Sequence, residues 1–222
     1  MRANHVETPL GYELSDLTLS WKVEEAEGKK TRSAQVRIYA DAQRKNFLHD
    51  SAASGREKID SLGYCPGIEL QPRTRYYWSV EVETDSGCRA EGFSWFETGK
   101  MQEPWQASWI SSSGGEHPLL KREFSLPTEV RSARAYVCGL GLYELYVNGQ
   151  KAGNEYLTPY CNDYRFWKQV QVYDVTALLR RGENAVGSML GNGWYKGRFG
   201  YESYERRNLF GDRFAFLCEL HI

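Results

Sequence analysis

Short runs in which apolar and polar residues take turns, each cut off by a turn cluster, recur along this chain from end to end. A period of two puts apolar side chains on one face of a strand, whereas a helix repeats near 3.6. The longest run of the first half sets Tyr76, Trp78, Val80 and Val82 against Tyr77, Ser79, Glu81 and Glu83. Leu17, Leu19, Trp21 and Val23 share a face in an earlier run, Val36, Ile38 and Ala40 repeat the pattern, and residues 93–98 close the set. Turn clusters separate them at Glu27-Gly28-Lys29, residues 50–55 and Asp85-Ser86-Gly87. Several short strands with no convincing helix specify an antiparallel β-sandwich over residues 1–100. Trp21 and Trp78 lie on the apolar faces of this pattern, so core packing accounts for them better than a role as sugar platforms.

Strand-like runs resume at residues 119–124, 133–138, 143–147, 168–174, 185–190 and 214–222. Asn148-Gly149 follows the alternation of Tyr143, Leu145 and Val147 at once, which signals a hairpin whose two central residues take positive φ. Thr176 is placed to cap a single turn over residues 177–181 that Gly182 ends. Phe214, Phe216, Cys218, Leu220 and Ile222 alternate up to the last residue, so this second sandwich is expected to be incomplete, with an open edge suited to self-association. Residues 101–112 read as a linker. Its Trp105, Trp109 and Ile110 are too apolar for a free tether and are expected to pack between the domains.

A chain of 222 residues holds two domains of ordinary size, and a hydrophobic content of 41% supplies a core for each. The net charge of -1 gives no field that would gather nucleic acid or anionic lipid. No run of about 18 apolar residues is present to span a membrane, and the opening MRANHVETPLGYELSD has no basic-then-apolar leader. The five cysteines are odd in number and lack a Cys-x-x-Cys pair, which fits free thiols in a cytoplasmic protein and leaves a Cys65–Cys88 bridge open.

Residues 137–200 combine the Tyr143–Gly149 strand and turn, the short capped turn from Asp174 to Gly182, and the glycine- and aromatic-rich run Gly191-Asn192-Gly193-Trp194-Tyr195-Lys196-Gly197-Arg198. As a set they resemble the N-terminal β-sandwich domain of bacterial α-L-rhamnosidases of glycoside hydrolase family 78. The Leu70-to-Tyr76 stretch resembles the corner of a fibronectin III or immunoglobulin-like domain, where a tyrosine hydroxyl ties the strand to the preceding loop. The resemblance implies an all-β chain: a fibronectin III/Ig-like sandwich (1–100), a Trp-x-Ala-x-Trp-Ile joining segment (101–112) and a jelly-roll-like sandwich (113–222) truncated at its C-terminus. It implies further that catalysis by the inverting parent enzyme belongs to an (α/α)₆ barrel downstream, since inversion needs two carboxylates about 6.5–9.5 Å apart. Glu144, Glu155, Asp163 and Asp174 are scattered over strands and loops and read as surface or capping groups, so this chain alone is expected not to be catalytic.

Residues 191–201 are the leading candidate for carbohydrate binding. Glycines let backbone approach a ligand, Trp194 and Tyr195 offer flat apolar faces, and Asn192 and Arg198 can hydrogen-bond hydroxyls. The same aromatics would serve equally to cap the core or to meet the catalytic domain. The turn 158–164 holds Asn162 and Asp163, two oxygen ligands suited to calcium, which some rhamnosidase accessory sandwiches use to bind rhamnose; calcium takes about six to eight oxygens. No cofactor is required. The scattered histidines give no zinc spacing, Gly187-Ser188 is not a nucleophile elbow, and Gly191-Asn192-Gly193 has no nucleotide-binding context. The leading reading is a non-catalytic part of a rhamnosidase whose partners are the missing catalytic domain and a rhamnosylated glycan or glycoside. A stand-alone L-rhamnose-binding module and a tandem-sandwich interaction protein are the alternatives.

Overall fold

The structure, a computed structural model, describes residues 1–52, 59–112, 117–198 and 207–222. It divides into two compact units, Met1–Pro104 and Trp105–Ile222. The first unit contains β1 (Arg2–Ala3), β2 (Leu10–Tyr12), β3 (Leu19–Ser20), β4 (Thr31–Tyr39), β5 (Phe47–Asp50), β6 (Arg75–Thr84) and β7 (Arg89–Thr98). Five of these form one sheet in the order β2-β7-β6-β4-β5, while β1 pairs with β3. The alternation along β6 does what its period demands: Tyr76, Trp78, Val80 and Val82 are buried and pack with Leu14, Leu17, Leu19 and Trp21. Each large apolar side chain so enclosed contributes about 1.5–3 kcal/mol.

The expected strand over Leu17–Val23 is shorter than its apolar pattern. Only Leu19–Ser20 is regular: it pairs with the two-residue β1, and on its other side it meets a loop, where the Leu19 N–H donates to the Tyr64 carbonyl at 2.8 Å and that of Trp21 to the Ser61 carbonyl at 3.0 Å. Ala40, expected on the inner face, is exposed, since β4 stops at Tyr39 and the chain turns through a bond from the Ala40 N–H to the Asn46 carbonyl. The corner forms as read: the Gln71 N–H donates to the Tyr76 hydroxyl at 2.7 Å.

The second unit contains β8 (Leu119–Leu126), β9 (Arg134–Leu140), β10 (Leu142–Val147), β11 (Gln150–Lys151), β12 (Val170–Asp174), β13 (Gly182–Gly191) and β14 (Ala215–His221), with a 3₁₀ turn at Thr176–Leu178 and a one-turn helix, α1, at Gly193–Lys196. Two antiparallel sheets, β11-β10-β13-β8 and β12-β9-β14, form a jelly-roll-like sandwich. Tyr143, Leu145 and Val147 of β10 share its core with Ala135 and Val137 of β9 and Phe216 of β14, all at most 4% exposed. Asn148 and Gly149 take φ of 51° and 82°, as the tight hairpin requires.

Thr176 is not the cap it was expected to be. It is the first residue of the turn, and the Asp174 carboxylate takes its N–H at 3.1 Å, while the Thr176 hydroxyl oxygen accepts the Ala133 N–H at 2.9 Å. Gly182, expected to end that turn, opens β13 instead. Along the joining segment, Ile110 and Phe216 exchange backbone hydrogen bonds at 2.9 Å, and the Glu219 carboxylate accepts the N–H groups of Gln106 and Ala107. Trp109 and Ile110 are each about half exposed. All five cysteines are free, Cys65 and Cys88 included. Ser113 to Gly115, the first residues of the second sandwich as read from the sequence (113–222), lie outside the described residues.

Candidate functional site

β13 delivers the chain to Gly191, and a turn then sends it away from the sheet. Gly193 makes that turn: its φ is +50°, and a Cβ there would stand 2.5 Å from the Leu142 Cγ. The open glycine loop read from the sequence is therefore a turn of helix, closed by bonds from the Lys196 N–H to the Asn192 carbonyl and from the Gly197 N–H to the Gly193 carbonyl, both 3.1 Å. Asn192 sits at the N-terminal end of α1 with its side chain exposed and making no capping bond. Trp194 and Tyr195 are half-buried, and Arg198 is exposed in a β-bridge with Arg207. Phe199, Gly200 and Tyr201, the far end of the loop read from the sequence, lie outside the described residues.

Packing fixes α1. The Tyr195 ring stacks with Phe210 at 6.5 Å and meets the edge of Tyr164, and Tyr164 in turn lies 5.2 Å from Phe210. Two backbone bonds reinforce this cluster, from the Phe210 N–H to the Tyr195 carbonyl at 3.3 Å and from the Asn208 N–H to the Lys196 carbonyl at 3.2 Å. A Cβ at Gly211 would fall 2.3 Å from the Tyr195 hydroxyl, so glycine leaves room for the ring. The Lys196 ammonium lies 4.4 Å from the centre of the Phe214 ring.

Tyr164 connects this helix to the turn that holds Asn162 and Asp163. The Asp163 carboxylate grips Arg165 through bonds from Nε at 2.8 Å and Nη2 at 2.5 Å, which hold its pKa below the ordinary value. The Asp163 carbonyl accepts the N–H groups of Phe166 and Trp167. Phe166 and Trp167 project outward, 81% and 53% exposed. Asn162 donates to the Tyr160 carbonyl at 3.2 Å, but its Oδ1 is buried without a hydrogen-bond partner. The Tyr164 hydroxyl is likewise buried and unpartnered, and burial pushes its pKa up to about 12. Buried polar atoms are ordinarily paired, with protein or with water, so two unpaired ones so close in sequence mark this turn.

The structure thus brings the two candidate segments together through Tyr164 and Tyr195, a junction the sequence reading missed. Phe210 carries no pattern that would have announced it. Tyr164 stood inside the segment singled out for its oxygen ligands, and its ring was passed over. Among the described residues no group of three or more His, Cys, Asp or Glu is gathered to hold a metal ion. Two of the other carboxylates read from the sequence are engaged locally: Glu144 with Lys151 at 3.0 Å and with the Tyr146 hydroxyl at 2.7 Å, and Asp174 with Arg134 at 3.0 Å.

Residues 1–102 match the Rha78A-like N-terminal immunoglobulin domain, and residues 128–222 match the alpha-L-rhamnosidase N-terminal domain. An alpha-L-rhamnosidase of Alteromonas sp. (strain LOR) is 28% identical over 210 residues, a match covering 86% of this chain and 23% of that protein. One of Streptomyces avermitilis is 34% identical over 176 residues, covering 78% and 16%. Among solved structures, that of native alfa-L-rhamnosidase from Aspergillus terreus superposes with a TM-score of 0.85 at 26% identity, covering 99% of this chain and 26% of that one. The chain therefore spans about a quarter or less of the length of the curated relatives it matches.

Proposed function

We propose that this chain, which belongs by both of its domains to the N-terminal accessory region of the family 78 α-L-rhamnosidases, supports a catalytic domain and presents rhamnosylated substrate through the surface around α1. The observation that carries this reading is the Tyr164–Tyr195–Phe210 cluster, which anchors a helical turn bearing half-buried Trp194 between exposed Asn192 and Arg198. A sugar ring has an apolar C–H face and a hydroxyl rim, so it asks for an aromatic surface flanked by hydrogen-bonding side chains. The unpartnered Asn162 Oδ1 and Tyr164 hydroxyl lie in the segment packed against that turn.

Hydrolysis is assigned to the part of a longer enzyme outside this chain. Inversion needs an acid and a base across a sugar-sized gap, and Glu144, Asp163 and Asp174 are each tied to a neighbouring cation. The only α-helix among the described residues is four residues long, so the fold contains no helical barrel there. Calcium enters this reading as a variable of the experiment, because Asn162 and Asp163 alone offer few of the oxygens it takes and Asp163 already holds Arg165.

Amide chemical-shift mapping with methyl α-L-rhamnoside, in calcium and then in chelator, tests the proposal. Saturable shifts centred on residues 192–198 support it, and their loss in chelator adds the metal. Shifts confined elsewhere, or none from a folded chain, favour a purely supporting role. Exposed Phe166 and Trp167 suit that second reading, as contact residues for another domain.

A further inference from the structure

We propose that Asn192 is a site of spontaneous modification: its side-chain amide condenses with the Gly193 backbone nitrogen, and the position is converted to aspartate or isoaspartate. Two Asn-Gly pairs occur in the sequence, Asn148-Gly149 and Asn192-Gly193. Glycine has no side chain to shield its nitrogen, and it lets the backbone reach the conformations that ring closure needs. The two pairs are chemically alike, and the fold separates them.

Asn148 is locked. Its Nδ2 donates to the Leu178 carbonyl and to Asn184 Oδ1, and its Oδ1 accepts the Ala185 N–H, each at 2.8 Å. Both donors of the amide and its oxygen are in use, so closing a ring there breaks all three bonds and distorts a hairpin whose turn Asn148 and Gly149 hold. Asn192 is exposed, makes no side-chain capping bond, and among the described residues has no other hydrogen bond to its amide. Its backbone is helical, with ψ of −49°, which keeps the Gly193 nitrogen from the side-chain carbon, so the ring closes when the turn opens. Little opposes that opening. α1 is four residues long, and the bond from the Lys196 N–H to the Asn192 carbonyl, at 3.1 Å, ties Asn192 to it. Gly193, the first residue of α1, has no carbonyl inside the turn to take its N–H. A single helical turn is marginal by itself and opens locally far more often than a hairpin inside a sheet.

Water is the only co-reactant. The Gly193 nitrogen bonds to Asn192 Cγ and gives up its proton; the Cγ–Nδ2 bond breaks, and the nitrogen leaves with that proton as ammonia, so that a cyclic imide remains. Water then adds to one of the two imide carbonyls. Opening at Cγ restores the ordinary backbone and leaves aspartate, whereas opening at the main-chain carbonyl routes the chain through the side-chain carbons as isoaspartate. Either product places a negative charge beside Trp194. Aspartate suits the N-terminal end of a helical turn and stands one turn before Lys196, so α1 persists. Isoaspartate lengthens the backbone at the point where α1 begins and undoes the turn. The chemistry stands without the sugar reading above; its consequence, weaker sugar binding by the isoaspartate form, rests on that reading.

The test holds the intact folded chain in mildly alkaline buffer made with water enriched in heavy oxygen, then digests it in ordinary water and maps the peptides by mass. Expected is uptake of a solvent oxygen at position 192, on the order of tenfold or more faster than at position 148. In guanidinium chloride, where neither side chain is held, the two positions convert at similar rates. Equal rates in the folded chain overturn the proposal, and so does an Asn192 that stays unchanged while the denatured chain converts. Asn192→Gln, an exposed substitution, abolishes the uptake, because its longer side chain closes a larger ring far more slowly; uptake that persists in this variant overturns the assignment. Anion exchange separates converted from unconverted chain. An L-rhamnose response in neither form sinks the sugar reading and spares this proposal, whereas a response from a chain that never converts does the reverse.

Discussion

The ring of Tyr164 meets that of Tyr195 edge-on, with centroids 5.1 Å and planes 76° apart. Tyr164 belongs to the loop between β11 and β12, and Tyr195 to α1 beyond β13, so one ring contact joins segments thirty-one positions apart in the chain. It holds α1 against the sandwich.

Removing the Tyr164 ring leaves a cavity beside Tyr195 and Phe210. Tyr164→Ala is expected to lower the stability of the second unit by about 3–5 kcal/mol. Tyr164→Phe keeps the ring and removes a hydroxyl that has no partner, so its effect is expected to stay within about 1 kcal/mol and can be stabilising. Urea unfolding of both variants checks the pair, and a Phe variant as damaged as the Ala variant contradicts the packing account.

The corner of the first unit behaves oppositely, because there the hydroxyl is used. Tyr76→Phe orphans the Gln71 N–H and is expected to cost about 1–3 kcal/mol. Differential scanning calorimetry that finds no loss shows that water replaces the hydroxyl.

Gly193→Ala combines a strained φ with a clash on Leu142. It is expected to destabilise by more than about 1 kcal/mol and to loosen α1, seen as faster hydrogen exchange at the amides of Lys196 and Gly197. Gly149→Ala, whose added Cβ meets nothing within 4 Å, pays the φ penalty alone and serves as the comparison.

Alkaline pH should weaken the second unit. Burial pushes the Cys138 thiol up to about 11, the Cys218 thiol up to about 12 and the Tyr164 phenol up to about 12. Each folded value lies above its ordinary one, so the folded state holds these protons more tightly than the unfolded chain does. The stability they lend is complete below about pH 9, the ordinary thiol value, and is lost as pH climbs toward 12. Urea midpoints between pH 8 and 11 should fall, and Cys138→Ala should flatten the decline. A midpoint that holds steady to pH 11 contradicts this.

Much of the architecture was legible because strand alternation needs no partner to be recognised. Tyr76, Trp78, Val80 and Val82 declare a buried face by themselves, and Asn148-Gly149 declares its turn. What escaped depended on partners far away in sequence. Leu19 hydrogen-bonds Tyr64 of a loop, Thr176 gives its N–H to the Asp174 carboxylate instead of capping the turn, and Asn192 to Lys196 coil because Gly193 fits closely against Leu142. The candidate site was legible only in its chemistry. Asn192, Trp194, Tyr195 and Arg198 were chosen by side-chain type, whereas the link through Tyr164 to Asn162 arises from tertiary packing that no local pattern encodes.

The most direct measurement is a titration of the folded chain with L-rhamnose followed by tryptophan fluorescence, run in parallel on Trp194→Ala. The account predicts a saturable change, selective for L-rhamnose over D-glucose, that disappears in the variant. A flat response from the folded chain, or an undiminished one in Trp194→Ala, contradicts the assignment of sugar binding to α1.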